Sequence, residues 1–293
     1  MVVVRAPRLV LVLLTACGAS HECPAAPAST IPPAPAVASA TPIQFGQTFR
    51  LSSAVLGEER LLNVYLPPGY ERTDGAAATR YPVLYALDGG MEEDFPHITG
   101  VLDVSIRNEV IRPLIVVGIQ NTERRRDLVS ATAIPQEQQI APHAGGTDRF
   151  RRFLREELQP EIARRYRVSG DSAVVGESFA GLFVLETLLQ DPDLFDTYIA
   201  IDPSVWWNGG ALVKSAPERF ARWSSKPVKR LFVATADAKE MQDGITALMT
   251  ALHDARPQGL TATYDPLPAE HHSTIFPVAE IRAYRALFPM TRP

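Results

Sequence analysis

Cysteine is almost missing from this 293-residue sequence, which contains 2, Cys17 and Cys23. Residues 24–293 therefore hold no thiol for a disulfide, a cysteine-based zinc site or a cysteine nucleophile. The stability of this long segment has to come from packing alone. Covalent catalysis, if the chain performs it, has to use another side chain.

An excess of positive charge is also missing. The chain has 29 Lys and Arg against 33 Asp and Glu, and its pI is about 5.9. This balance argues against a basic nucleic-acid-binding surface, so no nucleic-acid partner is expected. With 46% hydrophobic and 21% charged residues, the composition excludes a disordered or collagen-like chain and is typical of a globular protein with a sizeable core.

The apolar run near the N-terminus, Leu9–Leu14, is too short to span a bilayer permanently. It follows Arg5 and Arg8 and precedes small residues, which is the order of an export signal. The next residues, Leu-Thr-Ala-Cys17-Gly, resemble a bacterial lipobox, in which the cysteine becomes the lipidated first residue of the mature protein. We expect residues 1–16 to be removed and Cys17 to hold the protein to a membrane of the cell envelope, on the periplasmic or surface side.

Residues 17–42 form the next segment. Residues 18–42 contain 8 Ala, 6 Pro and 5 Ser or Thr. Such a segment has too little apolar bulk to fold and enough proline to stay extended, so we predict a flexible tether. Residues 43–293 show no comparable break and are expected to form one domain.

Within that domain, the order of short apolar runs and helical periods predicts the fold class. Gln47–Ser53 and Leu61–Leu66 flank a turn at Gly57 and predict an N-terminal antiparallel hairpin. Apolar runs that are too short for helices then alternate with helical patterns, which predicts an α/β fold: a mostly parallel central sheet with helices on both faces. The expected strands are Tyr81–Leu87, Leu114–Ile119, Ala173–Val175, Tyr198–Ile201, Leu231–Thr235 and Thr261–Tyr264, and the expected helices are Asp148–Arg165, Phe179–Gln190, Ala211–Trp223, Gly244–Asp254 and Val278–Phe288. Ligands of such sheets bind at the carboxyl ends of the strands.

One strand end carries the sequence Gly176-Glu-Ser178-Phe-Ala180-Gly181, and a helical pattern begins at once. This is the pattern of a nucleophile elbow, a sharp strand-to-helix turn that exposes a serine hydroxyl. The small residues at 176, 180 and 181 allow strand and helix to approach closely. A serine at a helix start is also a common N-cap, so the motif needs partners elsewhere in the chain.

A serine nucleophile needs a base and a carboxylate that orients the base, and in this kind of fold they follow in the order acid, then histidine. Asp237 comes just after the apolar strand Leu231–Thr235, and Glu240 is a competing acid. His271 and His272 follow the last strand. Spacing alone does not choose between the two histidines.

Four segments together resemble the esterase family of α/β-hydrolases, and specifically its siderophore-esterase-like branch. They are the elbow at 176–182, Asp-Pro-Ser-Val-Trp-Trp at 202–207, the arginine-rich stretch at 117–128 and Glu-His-His-Ser-Thr-Ile-Phe-Pro at 270–277. The resemblance covers nearly all of residues 45–290. It implies an α/β-hydrolase fold with Ser178 as nucleophile and with no metal or organic cofactor.

The resemblance also implies roles for individual residues. The branch commonly has Glu-x-His-Gly-Ser or Glu-x-His-Gly-Thr in its last loop, and this pattern makes His272 the base, with Ser273 where glycine is usual and His271 as the alternative. The family's small-small-small-Asp ending of the seventh strand makes Asp237 the acid, with Glu240 as the alternative.

An oxyanion hole and a substrate surface are expected near Ser178. The N–H of Phe179 is one expected donor to the oxyanion. By analogy with the family, Gly89 or Gly90 in the loop after the third strand provides the other.

Three further residues are candidates for substrate binding. Trp206 follows a strand end and could line an acyl or aryl pocket, whereas core packing is the alternative for Trp207 beside it. Arg124 and Arg126 could attract an anionic siderophore, although a run of charges is usually a solvated face.

Together these observations predict a serine-dependent carboxylic ester hydrolase that works through an acyl-enzyme on a small-molecule ester, with a siderophore ester as the candidate substrate. Three alternatives stay open. An acyltransferase or a feruloyl or acetyl carbohydrate esterase would use the same fold, and a non-catalytic surface-anchored binding protein would keep the fold without turnover. The oligomeric state is left undetermined.

Overall fold

The computed structural model of the chain describes residue 41 and residues 43–72 and 79–290. The predicted signal peptide, Cys17 and the predicted tether apart from residue 41 lie outside the described residues, so these expectations stay predictions. Within the described part of the chain, no helix is both long and apolar enough to cross a membrane.

An eight-stranded sheet forms the centre of residues 44–290. Its strands are β1 (Gln47–Ser53), β2 (Glu58–Tyr65), β3 (Tyr81–Ala86), β4 (Ile115–Ile119), β5 (Val168–Glu177), β6 (Thr197–Ile201), β7 (Ser224–Thr235) and β8 (Gln258–Pro266). They lie in the order β1-β2-β4-β3-β5-β6-β7-β8. β2 pairs antiparallel with β1 and β4, and all other neighbours are parallel. This is the mostly parallel sheet with an N-terminal hairpin that the sequence predicts.

Helices connect the parallel strands. They are α1 (Phe95–Arg107), α2 (Arg124–Leu128), α3 (Pro135–Ile140), α4 (Thr147–Phe153), α5 (Gln159–Arg165), α6 (Phe179–Gln190), α7 (Trp207–Ala221), α8 (Lys239–Ala255) and α9 (Ile275–Leu287). The helix expected over Asp148–Arg165 is divided, because a π-helical turn at Leu154–Leu158 joins α4 to α5. The helices α1, α2 and α3 were not predicted from the sequence.

The core lies on both faces of the sheet. Every residue of β3, β4 and β6 is buried. Along β3, Leu84 and Ala86 belong to one apolar cluster, while Val83 and Tyr85 belong to the other. Because successive side chains of a strand point to opposite faces, a strand covered on both faces is a continuous apolar run.

The register of the parallel strands aligns their carboxyl ends. Ala86 of β3 pairs with Val175 of β5, and Glu177 pairs with Ile201 of β6. Ile201 in turn pairs with Ala234 of β7. The loops that follow these strands therefore emerge at one edge of the sheet, where a binding site is expected.

Candidate active site

Ser178 lies at a strained turn between β5 and α6. Its φ and ψ angles are 60° and −120°, a conformation that non-glycine residues rarely adopt. Three backbone hydrogen bonds hold it. The Ser178 N–H donates to Ile201 O at 3.0 Å, and Ser178 O accepts the N–H groups of Leu182 at 2.9 Å and Ser204 at 3.1 Å. The turn therefore has the geometry of a nucleophile elbow.

Small residues make this turn possible. A Cβ on Gly176 would lie 2.6 Å from the Cβ of Ala180, and a Cβ on Gly181 would lie 3.0 Å from the carbonyl oxygen of Ile201. Distances this short leave no room for a larger side chain. The local sequence thus specifies the elbow through steric constraints.

The hydroxyl of Ser178, a half-buried residue, contacts a second serine. Its Oγ is 3.2 Å from the Oγ of Ser204, in the loop between β6 and α7. Within the described residues, no hydrogen bond joins Ser178 to a histidine. No role was predicted for Ser204, because the sequence does not show that this serine lies beside Ser178.

His272 lies in the loop between β8 and α9 and forms a hydrogen bond with Asp202. Its Nδ1 is 2.6 Å from Oδ2 of Asp202, which is fully buried at the end of β6. The other oxygen, Oδ1, accepts the N–H of Ala236 at 3.0 Å. With Asp202 as a carboxylate, Nδ1 carries the proton, and Nε2 is left as an acceptor.

The electrostatic surroundings favour a positive charge on His272. The hydrogen bond to Asp202 raises the pKa of His272, and partial burial opposes this effect. The charges of Glu177 and Asp202 raise the pKa further, whereas Arg124 lowers it. A histidine in this setting readily accepts a proton.

The family of the chain follows from comparison with known proteins. Residues 53–252 match the family described as "Putative esterase". The chain belongs to this esterase family. It is 31% identical over 236 residues to ferri-bacillibactin esterase BesA of Bacillus subtilis, an alignment that covers 71% of this chain and 80% of the relative.

Solved structures agree with this assignment. An IroE-like serine hydrolase from Shewanella oneidensis is 32% identical, superposes with a TM-score of 0.75 and aligns over 83% of this chain and 80% of its own. The siderophore hydrolase EstB from Aspergillus nidulans is 22% identical, with a TM-score of 0.73 over 87% of this chain and 97% of its own, and shows the shared fold. The protein is therefore a carboxylic ester hydrolase with the α/β-hydrolase fold.

Asp237 of the esterase does not contact His272. Its Oδ2 is 2.6 Å from Nδ1 of the neighbouring His271, in a surface pair whose side chains are 44% and 73% exposed. The expected pairing of Asp237 with His272 thus differs from the pairing in the structure. Asp202 follows β6, the strand directly beside β5, whereas Asp237 follows β7, one strand further from Ser178. Glu240 is exposed in the first turn of α8.

The N–H groups of Gly89 and Gly90 of the esterase already donate hydrogen bonds within the protein. Gly89 donates to Ile119 O at 3.0 Å, and Gly90 donates to Oε2 of Glu93 at 2.7 Å. A Cβ on Gly89 would lie 2.3 Å from Cα of Gly118. Gly89 thus lets the loop after β3 pack against β4, while a Cβ on Gly90 would lie 2.8 Å from Oε2 of Glu93.

Two other N–H groups near the elbow are free to donate. Phe179 is the first residue of α6, where backbone N–H groups have no partner in the helix. Met91, just after the two glycines, is exposed. Neither N–H donates a hydrogen bond to an acceptor in the described parts of the chain.

The two arginines expected at the substrate surface lie in different networks. Arg124 donates to both carboxylate oxygens of Asp88, at 2.7 and 2.6 Å, and its Nη2 lies 3.3 Å from the carbonyl oxygen of Glu177. It is therefore beside the elbow. Arg126 instead pairs with Glu58 of β2 and with Asp127, so two carboxylates already compensate its charge.

The two tryptophans also differ. Trp206 is half-buried, and its ring lies 5.8 Å from that of Phe179, next to the elbow. Trp207 is 1% exposed and donates its Nε1–H to Ser130 O at 2.8 Å. Trp207 is thus a core residue, while Trp206 is the aromatic side chain that borders the site.

Proposed function

We propose that this esterase is a serine hydrolase in which Ser178 is the nucleophile, His272 the general base and Asp202 the acid. The observation that carries the proposal is the placement of a strained serine and a buried aspartate after the adjacent strands β5 and β6, with the aspartate hydrogen-bonded to His272 from the loop after β8. The printed name of the Shewanella relative, a serine hydrolase, supports it.

The reaction begins at the hydroxyl of Ser178. His272 Nε2 removes its proton as Oγ attacks the ester carbonyl carbon, and the hydroxyl exchanges Ser204 for the histidine as partner. The bond from carbon to the leaving alcohol oxygen then breaks, and His272 gives the proton to that oxygen. Water repeats the sequence on the acyl-enzyme, which releases the carboxylic acid and restores Ser178.

Asp202 serves His272 in two ways. Its hydrogen bond to Nδ1 fixes the ring so that Nε2 is the accepting nitrogen, and its negative charge stabilises the imidazolium that forms when the serine proton is removed. Because Asp202 is fully buried, water does not screen this charge.

The negative oxygen of the tetrahedral intermediate needs aligned donors. We assign this role to the N–H of Phe179 and to the N–H of Met91, in place of those of Gly89 and Gly90. The assignment rests on the hydrogen bonds described above, which occupy both glycine N–H groups. Phe179 also lies at the N-terminus of α6, where the helix dipole favours negative charge.

The test of this mechanism is loss of covalent labelling. Ser178→Ala should abolish hydrolysis of a p-nitrophenyl ester and labelling by a fluorophosphonate. Ser215→Ala, which changes a half-buried serine of α7, is the matched control and should label like the wild type. Labelling or full activity in Ser178→Ala would refute the assignment.

The substrate we propose is a siderophore ester. The names of the relatives support this class, since BesA is a ferri-bacillibactin esterase and EstB a siderophore hydrolase. The experiment compares kcat/KM for a tri-catecholate lactone with and without iron, a feruloyl sugar ester and a simple acyl ester. A preference for the feruloyl ester would contradict the proposal, and so would transfer of the acyl group to a sugar in place of water.

A further inference from the structure

Three carboxyl groups lie at successive strand ends beside the elbow. Glu177 ends β5 and pairs with Ile201, the residue before Asp202. Asp88 follows β3, and Arg124, which binds it, has its Nη2 3.3 Å from the carbonyl oxygen of Glu177. Asp88, Glu177 and Asp202 thus form a row at the carboxyl ends of the neighbouring strands β3, β5 and β6. Negative charges so close together repel one another and destabilise the folded protein unless cations or protons compensate them.

Two of the three carboxyl groups have an ionic partner. Arg124 binds both oxygens of Asp88, and His272 binds Asp202. Glu177, in the middle of the row, is half-buried, and its Oε1 is buried without a hydrogen-bond partner among the described residues. An unpaired buried carboxyl group in a native protein calls for an explanation in terms of function.

We propose that Glu177 is a positioning residue of the esterase reaction, which acts on His272 through its charge. The proposal rests on the proposed function, in that it takes His272 as the base. Glu177 need not touch the substrate, because it precedes Ser178 in the chain and its carboxylate favours the protonated imidazole that forms when Ser178 is deprotonated.

The pKa of Glu177 depends on its burial and on the charges of His272 and three nearby aspartates. Burial raises the pKa of Glu177 to about 7, His272 opposes this, and Asp94, Asp202 and Asp88 add to it. In return, the charge of Glu177 adds to the effect of Asp202 and raises the pKa of His272. The protonation of each group therefore depends on the charge of the other.

Neighbouring elements complete the electrostatic environment. At the start of α1, Asp94 is 3.3 Å from Nε2 of His97, whose Nδ1 is 3.0 Å from Glu280 of α9. Glu93 is bound by the N–H of Gly90 and by Asn121. Of these groups, Asp94 raises the pKa of Glu177, and Arg124 of α2 interacts with the charge of Glu177.

The charge of Glu177 has two opposite effects on catalysis, one on the barrier to proton removal and one on the pH range of activity. A negative Glu177 stabilises the imidazolium of His272, which lowers the barrier to removal of the Ser178 proton. The same charge raises the pH at which free His272 becomes neutral and able to act as a base. Replacing Glu177 with glutamine should therefore slow the reaction at its plateau and extend activity to lower pH.

The test is the pH profile of kcat/KM in the purified full chain with a p-nitrophenyl ester. For Glu177→Gln we expect the acidic limb to move down by about one pH unit, the usual size of the effect of a nearby charge, and the plateau to fall roughly tenfold. Glu177→Asp keeps the charge, so its limb should stay near that of the wild type. Glu218→Gln, which removes an exposed carboxylate of α7, is the control and should shift neither quantity.

A second measurement keeps the outcome independent of turnover. The imidazole of His272 is titrated by NMR in Ser178→Ala, with and without Glu177→Gln, and its pKa should fall in the double variant. An unchanged pKa, or an unmoved acidic limb in a folded Glu177→Gln protein, would overturn this inference. Full activity in Ser178→Ala would instead overturn the proposed function, so the two failures are distinguishable.

Discussion

Replacing Asp202 with asparagine should disable the base without removing it. The carboxylate of Asp202 is fully buried and lies 2.6 Å from Nδ1 of His272. An asparagine amide that turned its NH2 group toward Nδ1 would leave the proton on Nε2, where it cannot accept from Ser178. An amide that turned its oxygen to Nδ1 would keep the tautomer but lose the charge.

The size of the effect follows from this geometry. A charge-assisted hydrogen bond to a buried carboxylate contributes about 1.5–3 kcal/mol, and loss of the correct tautomer adds to it. In serine proteases, the corresponding change lowers kcat by roughly 10⁴-fold. For Asp202→Asn we therefore expect kcat/KM to fall by about 10²–10⁴-fold, or roughly 3–5 kcal/mol in the barrier.

Asp237→Asn is the matched comparison, because it removes the same charge from the neighbouring pair. Asp237 and His271 are 44% and 73% exposed, and a surface pair of this kind contributes at most about 1 kcal/mol. We expect a loss of no more than about fivefold in kcat/KM.

The assay is hydrolysis of a p-nitrophenyl ester, with thermal unfolding of each variant as the check on folding. Asparagine keeps an oxygen for the N–H of Ala236, so the Asp202 variant should fold. The assignment of the acid would be refuted if Asp237→Asn lost activity 100-fold or more while Asp202→Asn remained near the wild type.

Two further predictions concern stability. Gly89→Ala places a Cβ 2.3 Å from the backbone of β4 and should destabilise the fold by roughly 2–4 kcal/mol in urea unfolding, whereas Gly100→Ala, in open space on α1, should be neutral or slightly stabilising; equal effects would contradict the packing argument. Burial disfavours a charge on His97, but hydrogen bonds to Asp94 and Glu280 outweigh it and raise the pKa to about 9. Because the folded-state pKa lies above the ordinary value near 6.5, His97 contributes stability that is fully present below about pH 6.5 and lost as the pH rises through 9. The difference in unfolding free energy between wild type and His97→Gln should shrink across this window, and a difference that is constant with pH would disprove it.

The fold was predictable where burial alone dictates the pattern. Strands β4 and β6 are buried along their whole length, so each is a continuous apolar run that the sequence displays directly. The helix α1 was missed, although Pro96 stands in its first turn, because its apolar stripe is interrupted by polar residues such as Thr99 and Ser105. Both are buried, and each donates its hydroxyl proton to a carbonyl of its own helix.

In the candidate site, too, the local part was predictable from the sequence and the long-range part was not. The elbow is a local structure, and its small residues identify it without reference to the rest of the chain. The partner of His272 is not local, because Asp202 is 70 residues away in sequence. Asp202 and Asp237 both follow apolar strands, and the local sequence does not show which carboxylate reaches which histidine.

The hydrogen bonds of the site also determine how its parts can move. The backbones of Ser178 and Asp202 are held within the strands, through Ile201 O and Ala234 O respectively. His272 lies in a loop and is 47% exposed. A local opening of residues 267–274 would therefore carry the base away while the nucleophile and its acid stay in place, at a free-energy cost below that of unfolding the sheet. In the proposed mechanism, opening of this loop separates the base from Ser178 and stops catalysis, and its return restores activity.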